Sequence, residues 1–199
     1  DETNMTAPAS VATASSPYPE LAPQQLFSLQ GQVVLITGAA GGIGGALARG
    51  FAAAGARLVA CDVNPRVHEL AAQWRDSGMD VDSFTFDLTS EEAIGSAFAQ
   101  IVERHGRIDV LVNNAGVIVR TPFLELKREE WQKVIDIDLT ACFLMAQQAA
   151  RLMVKQGGGR IIHLSSIMNH VARPNLVPYV SAKGGVSALT RAMAADLGG

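Results

Sequence analysis

Short apolar runs alternate with longer stretches of helical character along most of this chain. The clearest runs are Val33-Val-Leu-Ile36 and Val110-Leu-Val112. Neither shows the in-and-out alternation of a strand with one wet face. Near-continuous apolar character over so short a length marks a strand covered on both sides. Strands are predicted over Val33–Thr37, Arg57–Asp62, Val81–Asp87, Val110–Asn113 and Arg160–Ser165. Helices are predicted to start near Gly42, Pro65, Ser90 and Glu129, with a last one near Pro178. Strand alternating with helix, joined by right-handed crossovers, implies an α/β fold: a doubly wound parallel sheet with a helical layer on each face. Nothing in the pattern supports a repeat or a coiled coil.

The first 30 residues break this pattern. Asp1 to Gln30 is rich in Ala, Ser, Thr, Pro and Gln and holds no Lys or Arg. It lacks both the basic start and apolar stretch of a secretory signal and the arginines of an organelle transit peptide. Residues 1–28 are therefore expected to be a flexible tail ahead of one folded domain, 29–199. Across the 199 residues, 48% hydrophobic and 18% charged residues fit a globular α/β protein and exclude a disordered one. A net charge of −3 gives no electrostatic case for nucleic acid or an anionic membrane as partner. Cys61 and Cys142 are read as small buried residues of a reducing, cytoplasmic compartment. Neither they nor His68, His105 and His163 show ligand-like spacing, so no metal site is expected.

Two features carry chemistry. The turn Thr37-Gly-Ala-Ala-Gly-Gly-Ile-Gly44 follows a predicted strand and opens a predicted helix. There, unpaired backbone N–H groups and the helix dipole favour a pyrophosphate, and Gly38, Gly42 and Gly44 permit tight turning and close approach. Asp62 ends the second strand, where a carboxylate can accept both ribose hydroxyls of an adenosine. No basic residue stands at Ala39, Ala40 or Val63 to receive a 2′-phosphate, which predicts NAD in preference to NADP.

The second feature is Tyr179-Val-Ser-Ala-Lys183. On a helix, residues four apart share a face, so a phenol and an ammonium are set into one site. An ordinary phenol exchanges its proton only near pH 10; a cation beside it favours the phenolate and brings that exchange toward neutrality. The pair is a candidate proton-transfer device, with Ser166 upstream. Taken singly, Ser166 could cap a strand end and Lys183 could be a solvated helix residue.

These residues resemble the short-chain dehydrogenase/reductase family. Thr37 to Gly44 matches its Thr-Gly-x-x-x-Gly-x-Gly motif, Asn113 to Gly116 its Asn-Asn-Ala-Gly motif, and Tyr179 to Lys183 its Tyr-x-x-x-Lys motif. Ser166 falls thirteen residues before the tyrosine. The resemblance implies a Rossmann-like fold and a nicotinamide-dependent oxidoreductase interconverting an alcohol and a carbonyl. It implies that Tyr179 is the general acid/base and that Lys183 holds the nicotinamide ribose and steadies the phenolate. Ser166 would stabilise the substrate oxygen. Cofactor contacts would come from Thr37, Gly38, Gly42, Ile43, Gly44, Asp62, Asp87, Leu88, Asn114, Ala115, Gly116, Tyr179 and Lys183. It also implies a homo-oligomer, dimer or tetramer.

The sequence departs from the family's pattern at two points. Within Val134-Ile-Asp-Ile-Asp-Leu139, Asp138 stands where the family usually carries a catalytic asparagine. An ionised aspartate accepts hydrogen bonds but donates none, and it could pair with Lys183. The last strands of the family fold are also absent from these 199 residues, an expectation of one open sheet edge. Substrate choice is expected to come from the segment between Ser166 and Tyr179, where Asn169, His170 and Arg173 suit a polyol, sugar or sugar acid. The plainer reading makes His170 and Arg173 solvated loop residues. The text around Ile135–Leu139 and Lys183–Gly185 is most similar to gluconate 5-dehydrogenases and related polyol dehydrogenases. A 3-oxoacyl-carrier-protein reductase, or a nucleotide-binding scaffold without catalysis, are the alternatives.

Overall fold

A computed structural model of the protein describes residues 23–198. The tail expected over 1–28 lies, for residues 1–22, outside the described residues. Pro23–Leu26 form a single helical turn, α1. The chain then joins the body of the fold at Leu29, whose N–H donates to the carbonyl of Ala54 at 2.7 Å.

Five parallel strands follow in the order β3-β2-β1-β4-β5. They are β1 (Val33–Thr37), β2 (Arg57–Asp62), β3 (Val81–Thr85), β4 (Val110–Asn113) and β5 (Arg160–His163). Between them run α2 (Gly42–Ala53), α3 (Arg66–Asp76), α4 (Glu91–His105), α5 (Arg128–Ile135) and α6 (Ala141–Lys155), with α7 (Val177–Leu197) after β5. The central strand pairs on both sides: Leu35 lies beside Val59 of β2 and Leu111 of β4. Its side chains alternate between two cores. Val33 and Leu35 face α4 and α6 with Ile94, Ile101 and Met145; Val34 and Ile36 face α2 and α3 with Ala48, Val67 and Trp74. This double coverage is why the strand carries no polar side chain before Thr37.

From β1 the chain steps outward to β2 and β3, then returns across β1 to lay down β4. The strand order therefore reverses between β1 and β4, which opens a crevice at their carboxyl ends. β1 and β4 are held in register from below. Asp109 accepts the Val33 N–H at 2.8 Å and the Arg107 guanidinium at 2.6 Å. Burial acts to raise its pKa, but these donors outweigh it and hold the carboxyl below its ordinary value.

Two strands end earlier than the apolar pattern predicts. β3 stops at Thr85 because Asp87 turns to accept the N–H and hydroxyl of Thr89, both at 2.8 Å. β5 stops at His163; Leu164 still donates to Asn113 at 2.9 Å, but the Ser165 hydroxyl is drawn to α7. The outer side of β5 borders no further strand among the described residues, and Ile162 there is 42% exposed. No helix among the described residues is long and apolar enough to cross a membrane.

Candidate active site

The glycine turn leaves β1 at Gly38, whose φ of +67° places it in the left-handed region that glycine tolerates. A Cβ there would lie 2.9 Å from Ala115 Cα, so the backbone of the turn rests directly on the segment after β4. At Gly44 a Cβ would press on the Gly38 carbonyl oxygen and come within 2.8 Å of Asn114 Nδ2. Around Gly42, by contrast, a Cβ would meet nothing within 4 Å. The glycines at 38 and 44 close the turn, and the one at 42 leaves its mouth open.

Asn114 is the strut of this arrangement. Its Nδ2 donates to the carbonyls of Thr37 (2.9 Å) and Gly38 (3.1 Å). The Thr37 hydroxyl accepts in return from the N–H groups of Asn114 and Ala115, each at 3.1 Å. The two motifs are thereby laced together at the switch point. Around them lies a cleft of about 370 Å³, lined by the glycine turn with Ile43, by Asp62, Asp87 and Leu88, and by Asn114 to Val117 with Ile137. No Lys or Arg among the described residues lines it. Asp62 is fixed within it, accepting the Ala40 N–H through Oδ2 and the Asn64 N–H through Oδ1, each at 2.9 Å. Every sequence-predicted nucleotide residue except Tyr179 and Lys183 lies on this one cleft.

Tyr179 and Lys183 occupy the first turns of α7, with Pro178 setting the helix start. The Lys183 ammonium lies 5.5 Å from the centre of the Tyr179 ring. Lys183 is 4% exposed and donates to the Leu164 carbonyl at 3.0 Å. Its Nζ also lies 3.2 Å from Asp138 Oδ2. Ser166 begins a short 3-10 turn, Ile167–Asn169, and its Oγ accepts the Met168 N–H at 3.2 Å, which leaves its O–H free to donate.

The loop that carries Ser166 is fastened to α7 through Ser165, Asn169 and Ser187. Ser165 Oγ donates to the Lys183 carbonyl at 3.0 Å and lies 2.8 Å from Ser187 Oγ. Asn169, expected at the substrate, donates through Nδ2 to Ser187 Oγ at 2.7 Å. His170 and Arg173 are exposed on the same loop. A second loop meets it: the Thr121 N–H donates to the carbonyl of Asn175 at 3.2 Å, and Asn175 holds a φ of +65°. Arg120, also exposed, is thereby set on the loop that adjoins the one bearing Arg173. No periodicity or motif singled out Arg120, Ser165 or Ser187; only the meeting of loops distant in sequence does.

His163, His68 and the two cysteines are held by packing and hydrogen bonds within the fold. His163 pairs through Nδ1 with Asn113 Nδ2 at 3.2 Å, and burial, then the Lys183 charge, hold it below its ordinary pKa. Both cysteines are unpaired and buried; burial pushes the Cys142 thiol up to about 11 and Cys61 higher still. His68 bridges Ser83 and Thr85 at 2.9 and 2.8 Å.

The family model described as short chain dehydrogenase matches residues 32–199. The chain is 39% identical over 173 residues to 5-keto-D-gluconate 5-reductase of Escherichia coli (strain K12), covering 86% of this chain and 68% of that one. To gluconate 5-dehydrogenase of Gluconobacter oxydans (strain 621H) it is 37% identical over 174 residues, covering 87% and 68%. Among solved structures, a gluconate 5-dehydrogenase from Burkholderia cenocepacia J2315, in complex with NADP and tartrate, superposes with a TM-score of 0.82 at 40% identity over 85% of this chain and 67% of that one. A NAD+-bound xylitol dehydrogenase gives 0.82 at 33%, over 85% and 66%. On its cleft, its motifs and these likenesses, the chain belongs to the short-chain dehydrogenase family.

Proposed function

We propose that this chain is an NAD-dependent oxidoreductase that interconverts a secondary alcohol and a ketone on a sugar acid or polyol. The observation that carries this reading is a shared wall. Asp138 accepts the N–H of Val117, which lines the nucleotide cleft, and touches the ammonium of Lys183, which lies under Tyr179. This shared wall supports reading the cleft and the Tyr179–Lys183 pair as one site.

The cleft fits a dinucleotide: open space at Gly42 for a pyrophosphate, and a carboxylate at Asp62 whose two oxygens, each holding one backbone N–H, retain lone pairs for ribose hydroxyls. The Asp62 charge, with no cation lining the cleft to offset it, disfavours a 2′-phosphate. A nicotinamide, when bound, supplies the two-electron hydride acceptor or donor. Tyr179 takes the alcohol proton on its phenolic oxygen in oxidation and returns it in reduction. Lys183 stabilises the phenolate. Ser166, its Oγ already accepting from Met168, keeps its O–H free to donate to the substrate oxygen and stabilise charge developing there. The exposed Arg120 and Arg173 on adjoining loops suit a carboxylate end of the substrate.

The kinship to gluconate and 5-ketogluconate enzymes supports the sugar-acid class. The Burkholderia cenocepacia enzyme was solved with NADP and the xylitol dehydrogenase with NAD+, so the proposed NAD preference rests on Asp62 and on the lack of a cation among the described residues of the cleft. Assembly as a dimer or tetramer belongs to the same proposal, supported by the exposed Phe143 and Val154 on α6. The test is a screen of gluconate, polyols and secondary alcohols with NAD and NADP, read as NADH or NADPH absorbance. Turnover with gluconate or a polyol is expected. Turnover confined to 3-oxoacyl thioesters, or nucleotide binding without turnover on any of them, would overturn the substrate class or the activity respectively.

A further inference from the structure

Asp138 is fully buried, at 0% exposure, and it faces two donors at once. The Val117 N–H donates to Oδ1 at 2.7 Å, and the Lys183 ammonium lies 3.2 Å from Oδ2. The Lys183 contact is the one partner of Oδ2 among the described residues, an ion pair rather than a well-directed hydrogen bond. Gly116 is shaped around this carboxylate, since a Cβ there would come within 2.8 Å of Oδ2. Asp138 lies in a wide π-type turn, Asp136–Thr140, that joins α5 to α6 with helical backbone throughout. Within that turn the Asp138 carbonyl accepts from Cys142 Sγ at 3.3 Å.

A side chain between two donors needs two acceptors. A carboxylate has two oxygens; an asparagine in the same place would turn its NH2 toward either Val117 N–H or the ammonium. We propose that Asp138 is a positioning residue that bolts Lys183 to the turn after β4 and serves as its counter-charge, so that the Asp138–Lys183 pair sets the working pH of proton transfer at Tyr179. This rests on the alcohol–ketone reading above. The other titratable groups around the pair are Tyr179 on α7, Cys142 on α6 and His163 at the end of β5. Burial keeps the thiol and the imidazole neutral, so the charges that act on Tyr179 are those of Lys183 and Asp138. Burial raises the Asp138 pKa, and the Val117 N–H and Lys183 charge pull it back.

Asp138→Asn removes the counter-charge and leaves the Lys183 cation uncompensated beside the phenol. The acid limb of kcat/KM for oxidation is then expected to move to lower pH by about one pH unit. A folded, active Asp138→Asn protein with an unmoved limb would overturn the proposal. A second arm needs no turnover and serves if that variant does not fold. A carboxyl with a raised folded pKa loses stability as pH rises from its ordinary value of about 4 through the raised one. Lys183→Gln removes the cation that limits this rise, so its loss in Tm relative to wild type should grow from acid to neutral pH. In the Asp138→Asn/Lys183→Gln double variant that growth should vanish. A loss independent of pH would mean Lys183 serves only the Leu164 carbonyl, and growth that persists in the double variant would assign it to His163; either refutes the pair. If no variant, wild type included, turns over any substrate, the alcohol–ketone reading fails while this second arm still decides the pair.

Discussion

Replacing Asp62 with alanine tests how the cleft selects its nucleotide. The carboxylate is anchored by the N–H groups of Ala40 and Asn64, both at 2.9 Å, so its position does not depend on a bound ligand. Two ribose hydroxyls donating to it form charge-assisted hydrogen bonds, each worth about 1.5–3 kcal/mol. Losing both at the low end weakens NADH by about 3 kcal/mol, or roughly 150-fold in Kd. NADPH keeps one of these bonds, through its 3′-hydroxyl, and the variant removes that bond together with the carboxylate that repels the 2′-phosphate. In a partly solvated site the relief is worth about 1–2 kcal/mol and roughly cancels the single lost bond, so NADPH binding should change little. The ratio of the two dissociation constants should therefore shift by about two orders of magnitude toward NADPH. Fluorescence titration with NADH and NADPH measures this without a substrate, with circular dichroism confirming that the turn stays folded. A shift in the ratio below about threefold would show that Asp62 does not touch the ribose, and the preference for NAD would fall with it.

Other outcomes follow from the same geometry. Tyr179→Phe keeps the ring above Lys183 but removes the proton carrier; turnover should fall by about 10²–10⁴ with NADH binding retained, and unchanged turnover would remove Tyr179 from the chemistry. Gly44→Ala forces a Cβ onto the Gly38 carbonyl and Asn114, and should cost about 1–3 kcal/mol in unfolding experiments; a wild-type Tm would show that the turn yields. Arg173→Ala and Arg120→Ala should each raise KM for gluconate at least about tenfold, with little change for an uncharged polyol, since a charge-assisted bond of 1.5–3 kcal/mol is lost only with the acid. Asp109→Asn loosens the tie between β1 and β4 and should destabilise by about 1–3 kcal/mol near neutral pH. Because the Asp109 carboxyl titrates below its ordinary value in the fold, its contribution is present above about pH 4 and lost as pH falls through the depressed value. Urea unfolding at pH 7 and near pH 2.5 should show the difference between variant and wild type shrinking in acid.

The fold was legible because its signals are local. β1, β2 and β4 run over the residues their apolar runs predict, since a parallel strand buried on both faces admits little else. The helix after β3 begins one residue beyond Ser90, whose side chain accepts the Ala93 N–H at 3.2 Å as an N-cap. The strand ends at β3 and β5 were not legible. Asp87 and Ser165 leave the sheet for hydrogen-bond partners that composition does not reveal.

The turn that lines the cleft could be named from the chain because it carries its own backbone requirement, a positive φ at Gly38 and no room for a Cβ at Gly38 or Gly44, and because an acid ends the second strand. The Tyr179–Lys183 relation was equally determined by the sequence, since helical spacing alone stacks residues four apart. What only the tertiary structure decided is how distant pieces share charge and space. Asn114 binds the glycine turn 76 residues away, Ser187 ties down the Ser166 loop, and Asp138 stands between Val117 and Lys183 with one oxygen for each. Such contacts arise where the folded chain brings donors and acceptors together away from water, and a buried polar group is stable only beside the partner that folding supplies. Sequence spacing orders the motifs; packing at the switch point turns them into one site.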